Sequence, residues 1–242
     1  MEIAPGIHRL GGGLVNVYLL EEAGAITVID AGFPGYWRLL PGELAAMGRS
    51  LQDVKAVVLT HAHVDHIGFA ERIRSERAVP IRVHRDDATM ARGETKAVGQ
   101  SVRPLRLLPT VRFLLYGMRN GLRSTAIKEV TTFDDGATLD VPGSPRAIHV
   151  PGHSPGSAAF HASGASALFV GDALATLNVM TGIPGPQIAA FSSDISQARA
   201  SLARLEDVEA RFVLPGHGTP WTGGVPEALR LARQGPLGGT AG

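Results

Sequence analysis

Short apolar runs, each closed by glycine, proline or acidic turn residues, set the rhythm of this chain. Val15–Leu20 and Ala25–Asp30 flank Glu21-Glu22-Ala23-Gly24 and predict a β-hairpin, after which Asp30-Ala31-Gly32 turns the chain. Leu39–Met47 has helical spacing and stops at Gly48. Ala56–Thr60 (AVVLT) predicts a buried strand. Ile67–Arg77 predicts an amphipathic helix with Ile67, Ala70 and Ile73 on one face, and Pro80–His84 a further strand. Thr131–Asp140 and Arg146–Val150 predict strands around the Asp134-Asp135-Gly136 and Pro142-Gly143 turns, and Ala158–His161 with Ala167–Val170 a second hairpin. Ile195, Ala198, Leu202 and Leu205 mark a helix capped by Ser193 or Asp194. Arg211–Leu214 predicts the last strand, a helix around Pro226–Arg233 follows, and Gly235–Gly242 is expected to form a frayed tail.

Each half of this order joins a β-region to helices, which predicts an α/β fold of two face-to-face sheets with helices outside, a four-layer αββα sandwich. We expect one domain over residues 1–234 with an insertion at about 92–128. The insertion stands out by charge: between Arg92 and Lys128 lie eight basic residues and one acid, Glu94, whereas the whole chain carries +1. With 44% hydrophobic and 19% charged residues, the composition is that of an ordinary globular protein and excludes a disordered chain. There is no cysteine, which removes disulfides, thiolate nucleophiles and cysteine-based zinc sites together. No signal-peptide pattern opens the chain, and no apolar run approaches the ~18–20 residues that span a bilayer. The expectation is a cytoplasmic protein.

Thr60-His61-Ala62-His63-Val64-Asp65-His66 places four potential ligands within six residues, directly after an apolar strand. In an extended loop, His61 and His63 leave on the same side, and Asp65 and His66 present a second set where the chain turns. An isolated histidine here would read as a solvated loop residue; three with an aspartate read as a metal site. His153 in Pro151-Gly152-His153-Ser154-Pro155-Gly156, Asp172 in Val170-Gly171-Asp172 and His217 in Pro215-Gly216-His217-Gly218 repeat the arrangement, each a ligand-type residue past a strand and beside glycine. Imidazole and carboxylate donors suit zinc, with iron and manganese as alternatives.

The pattern HxHxDH, PGHSPGS, GD, PGHG resembles the metallo-β-lactamase superfamily from Asp30 to His217. The resemblance implies one metal ion on His61, His63 and His153, a second on Asp65, His66 and His217, and Asp172 bridging both. Asp30 is implied to orient the ligand loop, though an Asp making the Asp-Ala-Gly turn reads almost as well. Two zinc ions per chain, with iron or manganese as alternatives, are then expected to bridge and acidify a water that attacks the substrate, with Asp65 orienting it and carrying a proton to the leaving group.

Departures from the family's branches narrow the substrate. The carboxylate at Asp172 resembles thioesterases, lactonases and phosphodiesterases more than true β-lactamases, whose corresponding position holds cysteine or serine. The 25 residues after His217 leave out the extension with which glyoxalase II enzymes bind glutathione, and Leu174–Gly185 lacks the tyrosine of acyl-homoserine lactonases. His63 stands where flavin-linked di-iron members carry glutamate. The reading is a hydrolase of a carbonyl ester, thioester or lactone. A mononuclear iron dioxygenase acting on a persulfide, a β-lactam-hydrolysing enzyme and a non-catalytic binding module are the alternatives. In the basic segment, Val111, Leu114, Leu115, Met118 and Leu122 share one helical face, with Arg112, Tyr116, Arg119 and Arg123 on another. Arg112, Tyr116 and Arg119 are the candidate contacts for an anionic acyl substrate if the segment is a lid over the site. A helix packed on the surface and a contact with an anionic membrane are the other readings. The partner expected is a small molecule, not nucleic acid.

Overall fold

The computed structural model describes residues 1–97 and 105–235. Seven strands form one sheet in chain order: β1 (Glu2–Ala4), β2 (Ile7–Leu10), β3 (Val17–Glu22), β4 (Ala25–Ile29), β5 (Val54–Val58), β6 (Ile81–His84) and β7 (Thr131–Phe133). The first three pairings are antiparallel; from β4 onward they are parallel. In the second half come β8 (Arg146–His149), β9 (Ala158–Ala162), β10 (Ala167–Gly171), a small ribbon of β11 (Ala175–Leu177) with β12 (Pro184–Gln187), and β13 (Phe212–Pro215). The second sheet runs β13-β10-β9-β8, with β10 and β13 parallel. The helices are α1 (Leu40–Ala46), α2 (Ala70–Arg77), α3 (Ala88–Ala91), α4 (Leu107–Asn120), α5 (Ile195–Ser201) and α6 (Val225–Gln234).

Side chains along a strand alternate between faces, so a strand buried on both sides feeds two separate cores. Val17 and Leu19 join Leu40, Leu44, Phe69 and Ile73 in the core under α1 and α2. Their neighbours Tyr18 and Leu20 join Phe160, Phe169 and Leu214 between the two sheets. On the far side, Leu168 and Val170 meet Leu202, Leu205 and Leu229 beneath α5 and α6. Three cores separate four layers, which is the αββα sandwich.

Several boundaries differ from the sequence reading. The first hairpin keeps Glu21 and Glu22 in the strand, paired with Ile26 and Ala25. Its turn is only Ala23-Gly24, both at positive φ (49° and 84°), the two-residue geometry that matches strand twist. The helix expected from Ile67 starts at Ala70, because Gly68 and Phe69 donate their amides to Gly32 and Ala31 instead (2.7 and 3.2 Å). The strand expected over Thr131–Asp140 ends at Phe133. Asp194 supplies the α5 cap, accepting from the Gln197 amide at 2.8 Å. Strands β1, β2, β11 and β12 are not legible in the sequence; each has only three or four residues, too few for periodicity to register. Residues 98–104 of the basic segment and 236–242 of the expected tail lie outside the described residues.

Candidate metal centre

The C-terminal ends of β4, β5, β8, β10 and β13 converge on one edge of the sandwich, carrying Asp30, His61–His66, His153, Asp172 and His217. Three groups of side chains bring ligand atoms within 4.8 Å of one another: His61, His63 and His153; Asp65, His66 and His217; and His61, His66 and Asp172. Asp172 reaches into both halves, 3.4 Å from His153 Nε2, 3.1 Å from His217 Nε2 and 3.7 Å from His66 Nε2. Asp65 lies 3.5 Å from His217 Nε2 and 4.0 Å from His66 Nε2.

Four of the five histidines are anchored through Nδ1, leaving the other nitrogen for the centre. His66 Nδ1 meets the Asp30 carboxylate at 2.8 Å. The Thr60 hydroxyl donates to Asp30 (2.8 Å) and so accepts from His61 Nδ1 at 3.1 Å. One carboxylate thus fixes two tautomers, directly in His66 and through Thr60 in His61. Asp30 is held for this task at φ 63°, and the Thr60 amide donates to it as well (2.7 Å). His153 Nδ1 contacts Ser192 Oγ at 3.2 Å, and His217 Nδ1 contacts the Leu14 carbonyl. Anchoring of the outward nitrogen is the usual support of a metal-ligating imidazole.

The inward atoms are short of partners. His61 Nε2, His66 Nε2 and Asp172 Oδ1 are buried without a hydrogen bond. An orphaned buried polar atom costs about 1–3 kcal/mol, more when charged, so three aimed at one point need a shared partner. Burial, reinforced by neighbouring imidazoles, holds His61 well below the ordinary histidine range; burial does the same to His153. Burial acts to lower His66 too, but Asp30, Asp172 and Asp65 outweigh it and raise the ring to about 10. Asp172 stays ionised: burial opposes this, but His217, His66 and His153 hold it far below the usual carboxylate range. Converging neutral imidazoles on one side and carboxylates on the other fit divalent cations.

Backbone packing explains the glycines. A Cβ on Gly216 would meet Asp172 Oδ1 at 2.4 Å and His66 Cε1 at 2.6 Å. Asn16 secures the same loop through its side-chain amide, which donates to the Pro215 and Gly218 carbonyls at 2.9 and 2.8 Å.

One supporting residue is not singled out by the sequence, which gives only a strand over Pro80–His84 here. Asp87, fully buried after β6, accepts from the Ala62 amide (2.9 Å), the Ser154 hydroxyl (2.7 Å) and the Gly156 amide (2.6 Å). It joins the His61–His63 loop to the His153 loop. The available signal is an acidic pair ending the strand beside β5.

A cavity of about 460 Å³ opens over the centre, exposing His63, Asp65, His153, Asp172 and His217 in its floor. Phe33, Phe113, Leu122 and Phe191 give it an apolar wall, and Lys96 a cation. Phe191 is held at φ 64°, its ring 6.5 Å from that of Phe113. The candidate substrate contacts on α4 fall elsewhere. Arg112 and Arg119 are exposed and do not line the cavity. Tyr116 hydrogen-bonds Tyr36 through the two hydroxyls at 2.7 Å, beneath the helix.

The metallo-beta-lactamase superfamily profile matches residues 10–217, and the chain belongs to that superfamily. It is 28% identical over 244 residues to the "Probable metallo-hydrolase YflN" of Bacillus subtilis, covering 92% of this chain and 87% of that one. The human "Acyl-coenzyme A thioesterase MBLAC2" is 27% identical over 234 residues, 91% of this chain and 78% of its own. Among solved structures, the metallo-beta-lactamase family protein TTHA1429 of Thermus thermophilus superposes with a TM-score of 0.70 at 25% identity, covering 96% and 80% of the chains. TTHA1623 in a di-iron-bound form gives 0.63 at 26% identity, covering 93% and 98%. The chain is thus a metallo-hydrolase-type member of the superfamily, with residue clusters suited to divalent metal.

Proposed function

We propose that this protein is a binuclear metallo-hydrolase cleaving a carbonyl ester, thioester or lactone, with acyl thioesters the foremost class. The observation that carries the reading is the pair of three-residue ligand groups joined by Asp172, with unpartnered buried atoms facing the space between them. In this reading His61, His63 and His153 hold one cation, Asp65, His66 and His217 the other, and Asp172 serves both. Zinc suits the nitrogen and oxygen donors; iron is the alternative that the di-iron form of TTHA1623 supports. Bound cations there supply a lowered water pKa and a positive field for developing negative charge. Asp30 and Thr60 set the tautomers, Asp87 keeps the loops in register, and the aromatic wall limits water access. Asp65, in the cavity floor and bound to neither Asp30 nor Asp87, is the residue placed to orient the attacking water and pass a proton to the leaving group. The apolar wall with Lys96 at its edge suits an acyl chain ending in an anionic carrier, and the acyl-coenzyme A thioesterase relative supports that class.

Elemental analysis of purified, metal-replete protein, combined with ester, thioester, lactone, β-lactam and phosphodiester substrates, tests the proposal. Two equivalents of metal with preferential thioester turnover are expected. One iron with oxygen consumption on a persulfide would replace hydrolysis by oxidation.

A further inference from the structure

Helix α4 turns its apolar side outward. The face packed on the domain carries Phe113, Tyr116, Gly117 and Asn120: Phe113 lies 6.3 Å from Phe33 between ring centroids, Tyr116 bonds Tyr36, and Asn120 accepts from Arg38 at 3.0 Å. At about 100° per residue, Leu107, Leu108, Val111, Leu114, Leu115 and Met118 fall within an arc of about 120° on the opposite side, and Leu122 follows just past the helix end. All seven are exposed, Leu107 by 82%, Leu108 by 80%, Leu115 by 56% and Met118 by 57%. Isolated exposed leucines are ordinary, but a continuous stripe along a 14-residue helix marks a contact surface.

Charge selects the occupant. Arg112 and Arg119 flank the stripe along one side, Arg106 stands at its start and Arg123 just past its end, and there is no acidic residue from 105 to 128. A second copy seated on this face would bring arginines to arginines with no carboxylate to meet them. A surface of negative headgroups over hydrocarbon complements both features at once. We propose that α4 is an interfacial helix that lies in the headgroup region of an anionic phospholipid bilayer, its leucines inserted and its arginines on lipid phosphates. Helices of this kind bind by combining buried apolar area with attraction to anionic lipid. Phe113 and Leu122 line the cavity as well, so the docking face adjoins the entrance to the candidate metal centre. The inference is independent of the reaction proposed above.

The test is co-sedimentation of the full-length, metal-replete protein with vesicles of phosphatidylcholine alone, or with about 30% phosphatidylglycerol. Circular dichroism and the urea midpoint serve as folding controls for every variant. Binding to the anionic vesicles, weak or no binding to the neutral ones, and release by high salt are expected. Arg112→Gln with Arg119→Gln should weaken binding about 25-fold, at roughly fivefold per charge. Leu108→Gln with Leu115→Gln should reduce it to the level of the neutral vesicles. The proposal is overturned if the wild type ignores anionic vesicles or if both double variants bind as it does. It is equally overturned if sedimentation equilibrium shows a dimer that the leucine substitutions dissociate, which would give the face to a second copy.

Discussion

Replacing Asp87 by Asn isolates the contribution of a single buried carboxylate to the metal centre. Oδ2 accepts from Ala62 and Ser154, and Oδ1 from Gly156 at 2.6 Å. An Asn side chain can keep its oxygen on the first pair, but its NH₂ then faces the Gly156 amide, donor against donor. The change removes one charge-assisted hydrogen bond, about 1.5–3 kcal/mol, and leaves a buried donor unsatisfied at about 1–3 kcal/mol. Because these terms share one site, they do not simply add. We expect a loss of about 3–5 kcal/mol in urea denaturation of the metal-free protein, within the ~5–15 kcal/mol available to a typical domain. The loss should be uneven in metal binding. Ala62 lies between His61 and His63, and Ser154 and Gly156 flank His153's loop, so all three donors of one cluster lean on Asp87. Chelator competition should show that cluster weakened about 10–100-fold, as for outer supports of metal ligands, with the Asp65–His66–His217 cluster much less affected. A stability change below about 1 kcal/mol, the lower end of the range for an unsatisfied buried donor, or equal weakening at both clusters, would refute this account of the loops.

Three further outcomes are expected. Gly216→Ala should abolish metal loading at the Asp172 position while the protein still folds, because its Cβ would sit 2.4 Å from Asp172 Oδ1; undiminished stoichiometry by elemental analysis would contradict this. Metal affinity should depend on pH mainly at the His66 cluster. That ring is raised to about 10 and keeps a proton that the cation must displace at neutral pH, so affinity there climbs as pH rises toward that value. His61 and His153, lowered by burial, have no proton to displace, so calorimetry above about pH 7 should show proton release from one site and almost none from the other. Lys96→Gln should raise KM for an anionic acyl thioester by about 1.5- to fivefold, the range of an exposed ion pair, with kcat retained; an unchanged KM would remove Lys96 from recognition.

The candidate ligand motifs are legible because their information is local. Four donors within six residues, or a histidine between glycines after an apolar strand, identify themselves without a partner. Asp87 could not be read that way: its role comes from β6 lying beside β5, which places residue 87 against residue 62. The amphipathic pattern of α4 was visible, but the side it buries was not. Phe113, Tyr116 and Asn120 pack on Phe33, Tyr36 and Arg38, so that side turns inward, while the leucine stripe and the neighbouring Arg112 and Arg119 stay out. Phe191 gave no signal at all, since only the left-handed backbone of its loop carries it into the cavity wall.

The location of the candidate ligands at one edge of the sandwich has a mechanical consequence. His61, His63, Asp65 and His66 follow β5 of the first sheet, whereas His153, Asp172 and His217 follow strands of the second. Neither sheet alone can complete either cluster, so a cation held at either one would be a rivet through both. Binding only to the assembled form adds its mass-action free energy to the force holding the sheets together. Starved of metal, the protein would keep its three hydrophobic cores yet lose the clasp at one end, and the exposed edge would become the first point open to proteases. Metal supply would then govern how long the molecule survives as well as whether it works.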